Sequence, residues 1–191
     1  MREIGRLFRA IAAYSHADDP LAGAANVIAL CVLGNQPFYP LYVWWVVGDD
    51  GYASFLLFLS TPFFAAIPAV ARRSSLAGRA MLPIVGIANT MLSVKAFGYD
   101  SGVTLFLGPC AMIAGMALRA SERPAMLAIL GLGFAAFALH DRLGTPVHHF
   151  APEAYARFVS LNAWSVAGLT AFTALQFSSA YGLLLARRRE G

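Results

Sequence analysis

Nine side chains stand out as ligand-contacting candidates against an apolar background: Asn35, Gln36, Tyr39, Trp44, Trp45, Asn89, Lys95, His140 and Asn162. Amides, a phenol, indoles, an ammonium and an imidazole hold a small molecule by hydrogen bonding and stacking. The most telling spacing is Gly34-Asn35-Gln36-Pro37-Phe38-Tyr39-Pro40, set between the apolar runs Leu21–Leu33 and Leu41–Val47. Hydrocarbon offers no water to a freed carbonyl or a side-chain amide, so such a motif persists only where protein or a wet cavity covers it. It reads as a bent segment facing a bundle interior. Its amides serve either a ligand or the carbonyls that the prolines free. Gln36→Leu is expected to fold, because Asn35 can still serve the backbone.

Other polar residues leave alternatives open. Lys95 lies about one turn inside a span; it either snorkels to the interface or pairs with Asp100, Asp141, an anionic headgroup or a quinone oxygen. Asn162, Ser165, Thr173 and Gln176 fall on one helical face, for interhelical hydrogen bonds or a lined cavity. Asn89 and Ser93 share a face in the same way. Of the histidines, His16 belongs to one side of the membrane, and His140, His148 and His149 to the other. The latter, with Asp141, are solvated residues or a copper or zinc site. Only His140 sits near a helix end, so a bis-histidine haem b in the core has little support. Cys31 and Cys110 read as small buried hydrophobes. There is no Gly-rich phosphate loop, Ser/His/Asp set, HExxH or pair of intramembrane carboxylates. An enzyme is therefore not expected, and a proton-coupled carrier is disfavoured.

The elements that must position these residues are membrane helices. Of 191 residues 59% are hydrophobic and 13% charged, with mean hydropathy +0.63. A soluble domain is about a quarter charged. Apolar runs of spanning length predict an all-α bundle of six transmembrane helices, kinked by Pro37, Pro40, Pro62, Pro68, Pro83 and Pro109. The spans are expected at 21–47, 52–71, 80–97, 103–118, 125–139 and 156–186. Residues 1–20 form an amphipathic segment carrying Arg2, Arg6 and Arg9 beside Ile4, Leu7, Phe8 and Ile11; 21–186 form the membrane domain; 187–191 form a basic tail. Tight turns are expected at 48–51 and 98–102, a basic loop at 72–79, a polar loop at 119–124 and the longest connection at 140–155. Arg2, Arg6, Arg9, Arg72, Arg73, Arg79, Arg119, Arg123, Arg187, Arg188 and Arg189 fall on one side, out of 14 Lys and Arg. The positive-inside rule then makes both termini cytoplasmic and the histidine loop external.

The stretch Gly34–Gly48 (GNQPFYPLYVWWVVG), with Asn89–Lys95 and Leu107-Gly108-Pro109-Cys110, resembles six-helix membrane sensor or anchor modules. Such modules precede histidine kinase or nucleotide cyclase domains in some alphaproteobacteria. The resemblance covers roughly Leu21 to Ala186. It implies a bacterial inner-membrane module that binds haem b or responds to a quinone. Histidines are not spread over several helices here, which departs from a haem-binding pattern. No stretch outside the spans is long enough for a soluble catalytic domain, so the output domain is expected on a separate protein.

The expectation is thus a non-catalytic inner-membrane sensor or binding module. It would recognise a small or lipid-like ligand, such as a quinone, in its outer half, and it would bind no nucleic acid. The alternatives are a haem b or metal-binding redox anchor and a small carrier. Ala111 with Gly115, and Gly131 with Gly133, permit close helix approach and suggest a homodimer.

Overall fold

The computed structural model describes residues 2–48 and 51–190, and no strand occurs among them. Its main helices are α1 (Arg2–Ser15), α2 (Pro20–Asn35), α3 (Tyr39–Tyr42), α4 (Thr61–Arg73), α5 (Ser75–Phe97), α6 (Leu107–Ala117), α7 (Arg123–Ala138) and α8 (Pro152–Glu190). Asp49 and Asp50 of the expected turn lie outside the described residues, as do the side chains of Arg2, Ile4, Leu7 and Phe8 on the expected amphipathic face.

Local chemistry sets the breaks. Asp19 caps α2, accepting from the Leu21 N–H at 3.1 Å, with Pro20 in the first turn where its missing donor costs nothing. Pro37 cannot donate, and its ring crowds the carbonyl four residues back. The chain does not unwind there. It tightens into a 3-10 turn over Gln36–Phe38, continues as α3, and widens into a π-helix over Val43–Val47. Gly48, at φ +83°, ends it, and Arg157 donates to the Val47 carbonyl at 2.9 and 2.7 Å. The next segment opens with nine residues of 3-10 helix, Tyr52–Ser60, before Pro62 starts α4. A 3-10 run of that length and a π-helix are both uncommon, and both tend to mark functional segments.

Helix α5 is central and packs against α2, α4, α6 and α7. It starts at Ser75, not Ala80 as expected, because Ser74 caps it by accepting from the Ala77 N–H. Arg79 therefore lies in its second turn rather than in a loop. Gly78 is required at the α4–α5 crossing, where a Cβ would overlap Ala71. The long connection is also shorter than expected: α8 begins at Pro152.

Two ends can be told apart by their residues. Asp19, Arg79, Arg119, Glu122 and Arg187 gather at one, which we call the arginine end. Tyr99, His140 and His148 mark the other, the histidine end. One apolar core, with Leu21, Ile28, Phe64, Ile67, Leu82 and Phe177, fills the arginine half. A second, with Tyr39, Val43, Val47, Phe97, Phe150 and Phe158, fills the histidine half. A third joins α5, α6 and α7 through Ile87, Cys110, Ala114, Leu118 and Ile129.

Among the described residues four helices are long and apolar enough to cross a membrane: Pro20–Val47, Tyr52–Arg73, Ser75–Phe97 and Pro152–Glu190. The pair Val103–Ala117 and Ala120–Ala138, bent by 116°, makes five if it counts as one span. Six separately qualifying spans, the expectation from the sequence, are not what helix length and apolarity give.

Candidate ligand-binding site

A cavity of about 350 Å³ opens where the three cores meet, midway along the bundle. Its walls come from α2, α3, α4, α5, α6 and α8 together with the 3-10 segment before α4. Its polar lining is Asn35, Gln36, Tyr39, Tyr42, Asn89, Thr90 and Ser93, with Ser165 from α8; most of the rest is apolar, including Ile28, Leu57, Phe64, Ile113 and Phe172. Among the described residues no Asp, Glu, Lys, Arg or His lines it. Its volume lies within the roughly 300–1,000 Å³ of small-molecule sites.

The break after α2 turns Gln36 inward, to 7% exposure, and leaves Asn35 exposed. Gln36 Nε2 donates to Ser60 Oγ at 2.7 Å and reaches the Leu57 carbonyl at 3.4 Å; Thr61 donates to Gln36 Oε1 at 2.8 Å. Ser60 Oγ also lies 2.7 Å from Asn89 Oδ1 and from the Leu57 carbonyl. The amide thus ties the broken first helix to the 3-10 segment and, through Ser60, to α5. It does not serve the carbonyls freed by Pro37 and Pro40. Among the described residues Asn35 accepts only a long 3.5 Å bond from Tyr42, so it is not placed to replace Gln36, which removes the ground for expecting Gln36→Leu to be tolerated.

The other candidates divide. Tyr39 donates to Asn162 Oδ1 at 2.8 Å, and Asn162 Nδ2 donates to the Ser101 carbonyl at 2.9 Å. Asn162 is buried in the histidine-half core and does not line the cavity. Lys95 donates to the Leu143 and Thr145 carbonyls at 3.1 and 2.8 Å, pinning the connection after α7. His140 stacks on Tyr99 with ring centres 4.1 Å apart. Trp44 and Trp45 are 64% and 81% exposed and point away from the cores. The structure therefore brings Asn35, Gln36, Tyr39 and Asn89 together at one cavity, and places Trp44, Trp45, Lys95, His140 and Asn162 elsewhere. Among the described residues no three His, Cys, Asp or Glu converge as a metal would need.

Sequence reasoning missed Ser60, Thr61 and Thr90. Ser60-Thr61-Pro62 inside an apolar run carried a helix-start signal that went unused. It also missed the arginine-end cluster. Arg79, at 1% exposure, donates to the Ala117 carbonyl at 2.6 Å, to both Glu122 oxygens at 2.7 Å and to Ser75 at 3.0 Å, and lies 3.3 Å from Asp19. Arg119 pairs with Asp19 at 2.8 Å, and Ser75 donates to Asp19. Partial burial pushes the Asp19 carboxyl up, but Ser75, the Leu21 N–H, Arg119 and Arg79 outweigh it and hold it below the usual range. In the turn before α7, hydrogen bonds from Arg79 hold Glu122 down at about 2, against partial burial. The cluster fastens α2, α5 and the α6–α7 turn at one end.

Comparison with protein-family models, with curated proteins and with solved structures finds no match for this chain.

Proposed function

We propose that this chain is a non-catalytic, multi-pass membrane protein that recognises a neutral, lipid-like ligand, such as a quinone, in the central cavity and signals through a separate protein. One observation carries the reading: the cavity combines a few amides and hydroxyls with a mostly apolar lining, and among the described residues no Asp, Glu, Lys, Arg or His borders it. A neutral molecule with a polar head and an apolar body matches that lining, whereas a charged one would be desolvated without a partner. The cavity abuts the Gln36–Phe38 break, so occupancy can bias the angle between α2 and α3.

Within this reading the α6–α7 pair runs from the histidine end to the arginine end and back, making six passes. Support comes from its contacts: Ala117 and Glu122 bind Arg79, while His140 reaches Tyr99. The arginines then put both termini in the cytoplasm of a bacterial cell. Alkaline phosphatase fused after Arg189 should be inactive, and fused near Pro146 active; the reverse would overturn this topology.

The binding test uses purified protein in detergent with a short-chain benzoquinone. A ligand that binds only the folded state raises its stability, so the melting temperature should rise saturably with quinone. A single-chain anionic fatty acid should give no such rise. No rise with the quinone, or an equal one with the fatty acid, would refute the reading.

A further inference from the structure

We propose that the ligand reaches the central cavity sideways from the bilayer, through a window between α2 and α8, and that it is a tailed lipid whose head lies inside while its chain passes out through the window. This rests on the reading of the cavity as a neutral-ligand site and names the route and the tail.

The lining divides by exposure. Its residues on α4, α5 and α6 are buried or half-buried; Phe64, Leu82, Cys110 and Ile113 are at most 6% exposed. Three lining residues are exposed, Cys31 and Asn35 on α2 and Gly168 on α8. Helices α2 and α8 are packed neighbours, and they meet on both sides of these residues. Toward the histidine end Tyr39, in the continuation of α2, donates to Asn162 of α8 at 2.8 Å. Toward the arginine end Leu21, Ala25 and Ile28 share a buried core with Phe177 and Ala180. Between these seams Gly168 has no side chain, and a Cβ added to it meets nothing within 4 Å. The cavity opens there.

Other routes are closed. The core around Phe97 and Phe158 fills the histidine half of the bundle, and the core around Phe64 and Phe177 fills the arginine half. A second cavity, of about 260 Å³, lies between α5, α6 and α7 and also borders Cys110. The two are parted where α5 and α6 close up at Gly86, since a Cβ there would come within 2.7 Å of Cys110 Sγ. The thiol fills that slit.

Depth decides what the window faces. Cys31 and Asn35 fall mid-way along the apolar Pro20–Val47 helix, and Gly168 lies well inside Pro152–Glu190. At that depth of a membrane-crossing bundle the exterior is hydrocarbon. A molecule dissolved in the bilayer has direct access, whereas a strongly hydrated one must first give up its water. The window also lifts the limit that volume sets. About 350 Å³ encloses a head of small-molecule size, and a long chain can stay in the hydrocarbon from which it came.

The test uses the full chain in lipid nanodiscs and a benzoquinone with a decyl tail that carries a diazirine near the ring. Irradiation is done with and without an excess of the same quinone lacking the diazirine. Cross-links that the excess removes mark the bound tail; those that persist mark chains passing over the lipid-facing surface. The removable cross-links should map to Cys31–Asn35 on α2 and around Gly168 on α8. They should be lost from Gly168→Phe, in which the phenyl ring obstructs the window, while its melting temperature shows that it folds. Removable cross-links confined to the buried lining, such as Ile113, or to the second cavity, such as Phe134, would overturn the window, as would their persistence in a folded Gly168→Phe. The absence of any removable cross-link, with a tail-less benzoquinone still raising the melting temperature, would overturn the window and the tail but leave a neutral-ligand site standing. Failure of wild type to bind either quinone would overturn both.

Discussion

Replacing Arg79 by Met should be among the most damaging single changes outside the cavity. The guanidinium is 1% exposed and makes four hydrogen bonds, to the Ala117 carbonyl, both Glu122 oxygens and Ser75. Removing one partner of a buried ion pair costs about 3–5 kcal/mol, because the other is left uncompensated. Here the carboxylates keep help. Glu122 still accepts from the Arg119 N–H at 2.7 Å, and Asp19 still pairs with Arg119 at 2.8 Å. The expected loss is thus at the lower end, about 3 kcal/mol, read by titrating the protein from mild detergent into SDS and following tryptophan fluorescence. Glu122→Gln should be milder, since Arg79 keeps Asp19 at 3.3 Å and the glutamine oxygen still accepts. The double variant Arg79→Met/Glu122→Gln should lose less than the sum of the two. Acid gives a second arm. Both carboxyls are held below their ordinary values of 3.8 and 4.5, so their contribution is complete above those values and is lost as pH falls from about 4.5 toward 2. Arg79→Met should flatten that acid limb. A loss under 1 kcal/mol for Arg79→Met, or strict additivity of the two substitutions, would refute the reasoning.

Three further outcomes follow from named contacts. Asn162→Leu leaves the Tyr39 hydroxyl and the Ser101 carbonyl without partners in a buried core, each at about 1–3 kcal/mol; the same SDS titration should show a large loss with no loss of its α-helical circular dichroism before unfolding. Gln36→Leu strands the Thr61 hydroxyl and loosens Ser60, so it should lower the melting temperature by the equivalent of about 1–3 kcal/mol and weaken quinone binding; a wild-type melting temperature would contradict its place in the network. Lys95→Met frees the Leu143 and Thr145 carbonyls and should speed proteolysis in the 140–151 connection while leaving quinone affinity unchanged.

The all-helical character was legible because apolar runs of spanning length leave few other choices. So was the importance of the Asn35–Pro40 motif, since amides and prolines in an apolar run must be accommodated by something. Which amide turns inward was not legible: the 3-10 turn at Gln36 sets that, through Pro37 and through bonds from the Gln36 amide to Ser60 and Leu57, which are distant in sequence. Trp44 and Trp45 look like ligand residues by type, yet the π-helix turns them away from the cores. Arg79 was illegible for a different reason. Counting arginines by side treats each as a solvated charge, whereas its burial depends on Asp19 and on the α6–α7 turn, which are distant in sequence. Lys95 could be recognised as a residue needing partners, but the backbone carbonyls that satisfy it come from a connection whose path no local pattern shows.

The most direct test of the cavity as a ligand site is native mass spectrometry of protein extracted gently from its membrane, comparing wild type with Gly168→Phe. Gly168 is exposed and borders the cavity, and a Cβ added there meets no atom within 4 Å, so a large side chain can be placed at the cavity's mouth without a clash at its Cβ. Replacing a mid-helix glycine should not weaken the fold. Expected is a single neutral, lipid-like adduct on wild type that is absent from a folded Gly168→Phe. The same adduct on both proteins, or none on wild type, would contradict a ligand-binding role for this cavity.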